Sequence, residues 1–369
     1  MKALLKISVV VCLVTMLQGQ VMHAQEWLSM HAYSNTQGEA IIKTNDGAHY
    51  VVAGEMPLFD INEYSYFPML VKYDDDGNEL FTKVFNPLNT EWGGWVVNLT
   101  EKEDGGFVIV ANLSIFGGQT VAFIFTDSNG GFQGYQLLNE IEDGDYERAE
   151  TVDFLPNGGL LLAGVRNIDG VYQSFVNKLD ENFNLVWEKN YGNSTTNVPT
   201  AIKNKNDDDG VVVAMRSSSF PYDVTLVKAD ANGEALWTTE LPELGLINDW
   251  GFMDNGNVMA VGQTFDGMQT GGLVLVLDEE GVVLNTQVYT QDVEFYSRNF
   301  NAVAALGNNV YAVAGFDGYV FEGPVTDAYL ARINANGEVL SEMMYAVGPE
   351  GNVFTDIVVA NDGAIVATG

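Results

Sequence analysis

Residues 223–237 read DVTLVKADANGEALW. An apolar, β-branched run leads into Asp-x-Asn-Gly, and a second apolar run follows and ends in Trp237. Alternating and β-branched residues on both sides of such a turn form paired strands. The Asp opens the turn, and the Gly supplies the positive φ that closes it. The same figure recurs as YDDDGNELF (73–81), TDSNGGFQGY (126–135), LDENFNLVW (179–187), LDEEGVVLN (277–285) and INANGEVLS (333–341).

Ahead of each hairpin lies another short turn, at Asp46-Gly47, Asp104-Gly105, Asn157-Gly158, Asp209-Gly210, Asn255-Gly256, Asn308-Asn309 and Asp362-Gly363, spaced by about 46 to 58 residues. A strand ending in small residues follows each one: HYVVAG (49–54), GFVIVA (106–111), LLLAG (160–164), VVVA (211–214), NVMAVG (257–262), VYAVAG (310–315) and AIVATG (364–369). The unit is therefore strand a, turn, strand b, loop, strand c, turn, strand d. Four strands recurring about every fifty residues describe the blade of a propeller. No amphipathic helical stripe interrupts the pattern. The sequence predicts an all-β fold, a β-propeller of about seven four-stranded blades in one domain over 25–369. The repeat units run roughly over 38–85, 94–139, 145–192, 197–242, 245–289 and 296–348, with a partial unit at 352–369. That last unit offers only strands a and b, while 26–30 (EWLSM) supplies a stray d. No strand c is left, so the last blade is expected to be incomplete; an open ring or a three-stranded blade is the alternative.

Residues 1–24 carry two lysines, an apolar run at 7–17 and a small residue at Ala24, which is the grammar of a secretory signal peptide cleaved after Ala24. No later run is long and apolar enough to span a bilayer. The expected product is secreted or held at the outer cell surface, and monomeric. The only cysteine, Cys12, leaves with the leader, so the mature chain has no disulfide, thiolate site or cysteine nucleophile. Sixteen Lys and Arg stand against 50 Asp and Glu, a formal net charge of -34, which repels phosphate backbones and argues against a nucleic-acid partner.

The repeats resemble those of secreted β-propellers from Bacteroidetes-type bacteria, which often travel as type IX secretion cargo. The carriers are Asp327-Ala328-Tyr329-Leu330-Ala331-Arg332-Ile333-Asn334 with Gly337, and Asp223 to Lys228 with Asp230, Gly233 and Trp237. The resemblance implies fold and export and is nearly silent on chemistry.

In a four-stranded meander the a–b and c–d turns share one end, and the b–c and d–a loops share the other. The second set is longer and irregular in this sequence, and loops on a rigid scaffold are where function concentrates. These loops are rich in aromatic residues, including Phe220 and Phe265. The candidate ligand-binding residues are Tyr64, Tyr66, Trp92, Tyr172, Tyr222, Tyr296 and Tyr319, with an extracellular glycan or protein as the expected partner. Rings beside carboxylates stack on the C–H faces of sugars.

No cofactor is predicted, but Ca2+ is a candidate. Asp74, Asp76 and Asn78 have the alternating oxygen spacing of a hard-cation loop, yet the twelfth-position Glu of an EF-hand is missing, and a hairpin needs the same residues. The acidic loop with Glu142, Asp143 and Asp145 is the better metal candidate. Catalysis has little support: the mature chain has two histidines, His31 and His49, and no nucleophile elbow, P-loop or dinucleotide fingerprint. Carboxylates suffice for a polysaccharide hydrolase, so that remains the alternative, beside a structural spacer of a larger exported protein. The c–d turns are also similar to the Asp-box turns of sialidase-type propellers, with Asp230, Gly233 and Trp237 in order. Such enzymes need an arginine cluster, and Arg148, Arg166, Arg216 and Arg298 lie near the irregular loops while Arg332 sits on a regular strand.

Overall fold

The computed structural model describes residues 11–14, 28–29, 37–60, 63–87, 93–115, 118–139, 146–168, 170–192, 197–205, 210–266, 269–291, 296–319, 325–346 and 351–369. All regular structure among them is β. Strands β1 (Val11–Val14) and β2 (Leu28–Ser29) precede a first meander of β3 (Gln37–Lys43), β4 (His49–Asp60), β5 (Glu63–Asp74) and β6 (Glu79–Val84). The second holds β7 (Gly94–Glu101), β8 (Phe107–Ile115), β9 (Gly118–Thr126) and β10 (Phe132–Leu137). The third holds β11 (Tyr146–Phe154), β12 (Leu160–Ile168), β13 (Val171–Leu179) and β14 (Leu185–Lys189). Next come β15 (Asn197–Lys205), β16 (Gly210–Ser217), β17 (Val224–Ala229) and β18 (Ala235–Leu241), then β19 (Leu246–Phe252), β20 (Val258–Asp266), β21 (Gln269–Leu277) and β22 (Val283–Tyr289). The sixth holds β23 (Tyr296–Gly307), β24 (Val310–Tyr319), β25 (Val325–Asn334) and β26 (Val339–Tyr345), and the chain ends with β27 (Asp356–Val359) and β28 (Ile365–Thr368).

The chain divides into two compact units. One comprises 1–149, 168–170 and 355–369, and the other 150–167 and 171–354. In the first, the faces of β3–β5 bury two separate clusters. Tyr50 and Val52 pack with Ala360, Ala364 and Val366, whereas Val51 and Ala53 pack with Phe107, Ile109 and Ala111. Side chains alternate across a strand, so both faces of β4 are covered, which explains why strands b and c read as unbroken apolar runs. The second unit repeats the arrangement. Val211, Val213 and Met215 face Leu161 and Ala163, while Val212 and Ala214 face Trp250 and Ala260. Outer strands, such as β18 with Leu236 at 60 % exposure, keep one face in water.

Two expectations are corrected. The last sheet does have a third strand: β1 pairs antiparallel with β28 (Cys12↔Ala367, Leu13↔Val366, Val14↔Ile365), and β2 lies outside it (Val11↔Ser29, Cys12↔Leu28). A short aliphatic run satisfies a β-strand as well as the apolar core of a leader, and periodicity does not separate the two. The b–c connections are also tighter than expected. Strand pairing runs out to Asp60↔Glu63, Ile115↔Gly118 and Asp266↔Gln269, so much of the irregular sequence is hairpin strand rather than loop.

Successive sheets are latched near their innermost strands, where register shifts between Gly38 and Ala40, Ile247 and Asp249, and Phe300 and Ala302 kink strand a. In the first unit Ile41 N donates to Asp356 Oδ2 (2.9 Å), and Thr355 Oγ1 donates to the Gly38 carbonyl (2.5 Å). The second unit has the same arrangement: Val303 N donates to Asp249 Oδ2 (2.9 Å), Asn248 Nδ2 to the Phe300 carbonyl (2.9 Å) and Asn301 Nδ2 to the Phe354 carbonyl (2.8 Å). The kink frees backbone groups that sheet pairing would otherwise consume, and the neighbouring side chains satisfy them.

Candidate functional site

The acidic turns are fully engaged in their own geometry. The Oδ1 of Asp74, Asp127, Asp180, Asp230, Asp278 and Asn334 each accepts two backbone N–H groups, from residues two and four places on, at 2.7–3.1 Å. Backbone and Asn78 or Asn184 side-chain donors hold Asp74 and Asp180 below the usual carboxylate range, and the Glu234 N–H does so for Asp230. Among the described residues no three His, Cys, Asp or Glu side chains converge on a point fit for a metal ion. Glu142, Asp143, Asp145, Trp92 and His31 lie outside the described residues, and His49 sits beside Asp46 at 3.3 Å.

Two of the five arginines, Arg166 and Arg298, are paired with carboxylates on their own sheets. Arg166 grips the Glu188 carboxylate with both terminal nitrogens. Arg298 Nε donates to Asp317 Oδ1 (2.9 Å), and the Tyr296 hydroxyl donates to the same oxygen. Tyr296, expected at the binding surface, is therefore buried at 2 % exposure, because its hydroxyl completes this pair. Tyr172 is half-buried on β13, Tyr66 is exposed on β5, Tyr64 pairs with Phe59 at the tip of the β4–β5 hairpin, and Tyr319 ends β24 opposite Val325.

Tyr222 is the candidate that acquires a setting. It sits in the connection 218–223 between β16 and β17, which is held from several sides. Ser217 N donates to the Asp223 carbonyl (2.8 Å), Asp223 N to Ser217 Oγ (3.0 Å), Gly245 N to the Tyr222 carbonyl (3.1 Å) and Glu243 N to Asp223 Oδ1 (2.9 Å). On this frame the rings of Phe220, Tyr222 and Phe265 meet edge to face, with centroids 5.5–5.7 Å apart and interplanar angles of 71–88°. Such contacts fix ring orientation. Phe220 is 59 % exposed, and Tyr222 and Phe265 are half-buried beneath it. The Arg216 guanidinium carbon lies 4.8 Å from the Tyr222 ring centroid, and its Nη1 donates to the Ser217 carbonyl (3.2 Å). The arrangement is a rigid, partly exposed aromatic platform with a cation at its rim. Phe220, Phe265 and Arg216 were visible in the sequence as loop aromatics and a loop arginine. Their convergence depends on the side-by-side placement of β16 and β20, which no local pattern encodes.

These meanders, with both faces of their inner strands buried, define an all-β, propeller-like fold. No family model and no curated protein matches the chain. Similar solved structures are a candidate 6-phosphogluconolactonase from Bacteroides fragilis (13% identity, TM-score 0.54, 91% of this chain and 95% of that one) and a protein of unknown function from Dyadobacter fermentans (11% identity, TM-score 0.52, 77% and 91%). At such identities the likeness is one of fold alone.

Proposed function

We propose that the protein is an exported, non-catalytic binding scaffold that holds a saccharide on the b–c side of its sheets. The observation that carries the reading is the Phe220–Tyr222–Phe265 platform. Phe220, 59 % exposed on a pinned loop, adjoins Tyr222 and Phe265, and contiguous apolar surface, rather than a single exposed side chain, is what supports a binding role. Stacked C–H faces of a pyranose match a flat ring whose orientation is already fixed, so little ordering entropy is lost on binding. The leader-like residues 1–24 and the strongly acidic composition support an extracellular setting. No helix among the described residues is long and apolar enough to cross a membrane.

One observation bears on the hydrolase alternative. Glu39 and Glu55 hydrogen-bond to each other, and burial pushes both carboxyls up, to about 7 and about 8. Raised carboxyls are what an acid catalyst needs. However, glycosidic cleavage places its two carboxyl groups ~5 Å or more apart, with the scissile bond between them. A pair in direct contact leaves no such gap, and Glu55 is already spent accepting the Val96 N–H (2.7 Å).

The test is binding of the full chain to a panel of immobilised oligosaccharides, alongside Phe220→Ala. Retention of at least one saccharide by the wild type and its loss in the variant are expected. Equal binding by both proteins would remove the platform from the reading, and reducing sugar released by the wild type would replace it with hydrolysis.

A further inference from the structure

The charge at the rim of the platform narrows the ligand, on the premise that the platform binds a saccharide. In this chain cations are scarce, and Arg166, Arg298, Lys102, Lys189 and Lys203 are committed to carboxylates. Arg216 differs: its contacts are the Tyr222 face and the Ser217 carbonyl, and it forms no ion pair with any described residue. Among the described residues, then, the half-buried Arg216 guanidinium has no carboxylate partner. The nearest acidic neighbour along the loop, Asp223, is occupied by the Glu243 N–H. A guanidinium lying on an aromatic face keeps its edge donors directed outward in a planar fork, the shape that matches a carboxylate or sulfate bidentately.

We infer that the Phe220–Tyr222–Phe265 platform and Arg216 form a subsite for an acidic sugar, a pyranose whose C–H face stacks on the rings while its carboxylate or sulfate pairs with Arg216. The overall negative charge does not forbid this. Charges beyond about 8 Å are screened at physiological ionic strength, whereas a contact pair over an aromatic face is screened far less.

The test is titration of the full chain with an oligogalacturonate and with a neutral oligogalactoside of equal length. The acidic ligand is expected to bind roughly tenfold tighter, the worth of a charge-assisted pair, and that margin should shrink as NaCl is raised. Arg216→Gln is expected to erase the margin while leaving the neutral ligand bound; Arg216→Lys should restore only part of it. Equal affinity of the wild type for the two ligands overturns the inference, even if Arg216→Gln fails to fold, and leaves saccharide binding standing. A salt-independent margin, or one that survives in Arg216→Gln, also overturns it. Binding of polyglutamate as tightly as oligogalacturonate would make the site a protein-recognition surface instead. Failure of the wild type to bind either sugar ends both this subsite and the saccharide reading beneath it.

Discussion

The indole Nε1–H of Trp237 donates to the carbonyl oxygen of Glu279, 2.9 Å away, and its ring lies against Gly281 in the next sheet's c–d turn. The preceding sheet repeats the contact. Trp187 Nε1 donates to the Ala231 carbonyl (2.9 Å), its ring lies against Gly233, and the Tyr191 hydroxyl donates to the Gly233 carbonyl (2.8 Å). The Asp, Gly and Trp resembling a sialidase-type motif are thus the two halves of an inter-sheet brace. The turn presents free carbonyls, and the tryptophan of the sheet before it caps them. Gly serves twice, for a positive φ and for the absence of a Cβ under the indole.

Gly281→Ala separates those two roles when set beside Gly363→Ala. Both glycines have φ near +80°, at +80 for Gly281 and +83 for Gly363. A Cβ at 281 would fall 2.6 Å from Trp237 Cδ2, whereas at 363 nothing lies within 4 Å. Gly363→Ala is expected to cost about 1–2 kcal/mol, the left-handed penalty alone. Gly281→Ala should cost more, by an amount that Trp237→Ala in the same chain relieves; chemical denaturation of the four variants measures it.

Stability is expected to fall as pH rises from about 4.5 to about 8. Burial raises Glu39 and Glu55 above their ordinary value of 4.5, so the folded chain holds protons that the unfolded chain has released. Stability from these groups is complete below that value and is lost as pH climbs through the folded range. Glu55→Gln keeps an acceptor for the Val96 N–H and should flatten the slope. Thermal unfolding at a series of pH values gives the answer, and identical slopes in the two proteins would refute it.

Asp317→Ala should be severe. It strips the partner from the Arg298 guanidinium, whose side chain is 11% exposed, and from the Tyr296 hydroxyl. Leaving a buried charge uncompensated costs about 3–5 kcal/mol. Lys102→Ala breaks the exposed pair with Asp104 and should cost less than about 1 kcal/mol. Comparable denaturation midpoints for the two variants would contradict this ranking.

Phe220→Ala should leave the fold nearly as stable as before, because the ring is mostly in water and gives up only two edge contacts, worth about 0.5–1.5 kcal/mol each. A thermal shift of only a few degrees, combined with lost saccharide binding, distinguishes a ligand platform from a core residue.

A chain beginning at Gln25 lacks β1 and so opens the outer edge of β28. Amide exchange at Ile365–Thr368 is expected to be faster in that chain than in the full-length protein, where Val11–Val14 pairs there. Equal exchange would show that the pairing gives no protection.

The repeat, the strand order and the paired turns were legible in the sequence because each depends on neighbours within about ten residues. Asp230 meets Glu234 N across a single turn, and β17 meets β18 across the same turn. The alternation that buries both faces of VVVA at 211–214 was likewise written in its unbroken apolar run. The identity of the third strand in the last sheet, the burial of Tyr296 and the meeting of Phe220 with Phe265 were not legible. Each depends on residues brought together from separate strands: Cys12 with Ala367, Tyr296 with Asp317, Phe220 with Phe265. A loop aromatic reads the same whether it ends in the core or in water. Pairing with Asp317 on the adjacent strand made Tyr296 a buried hydroxyl donor, while the pinned β16–β17 loop left Phe220 facing solvent.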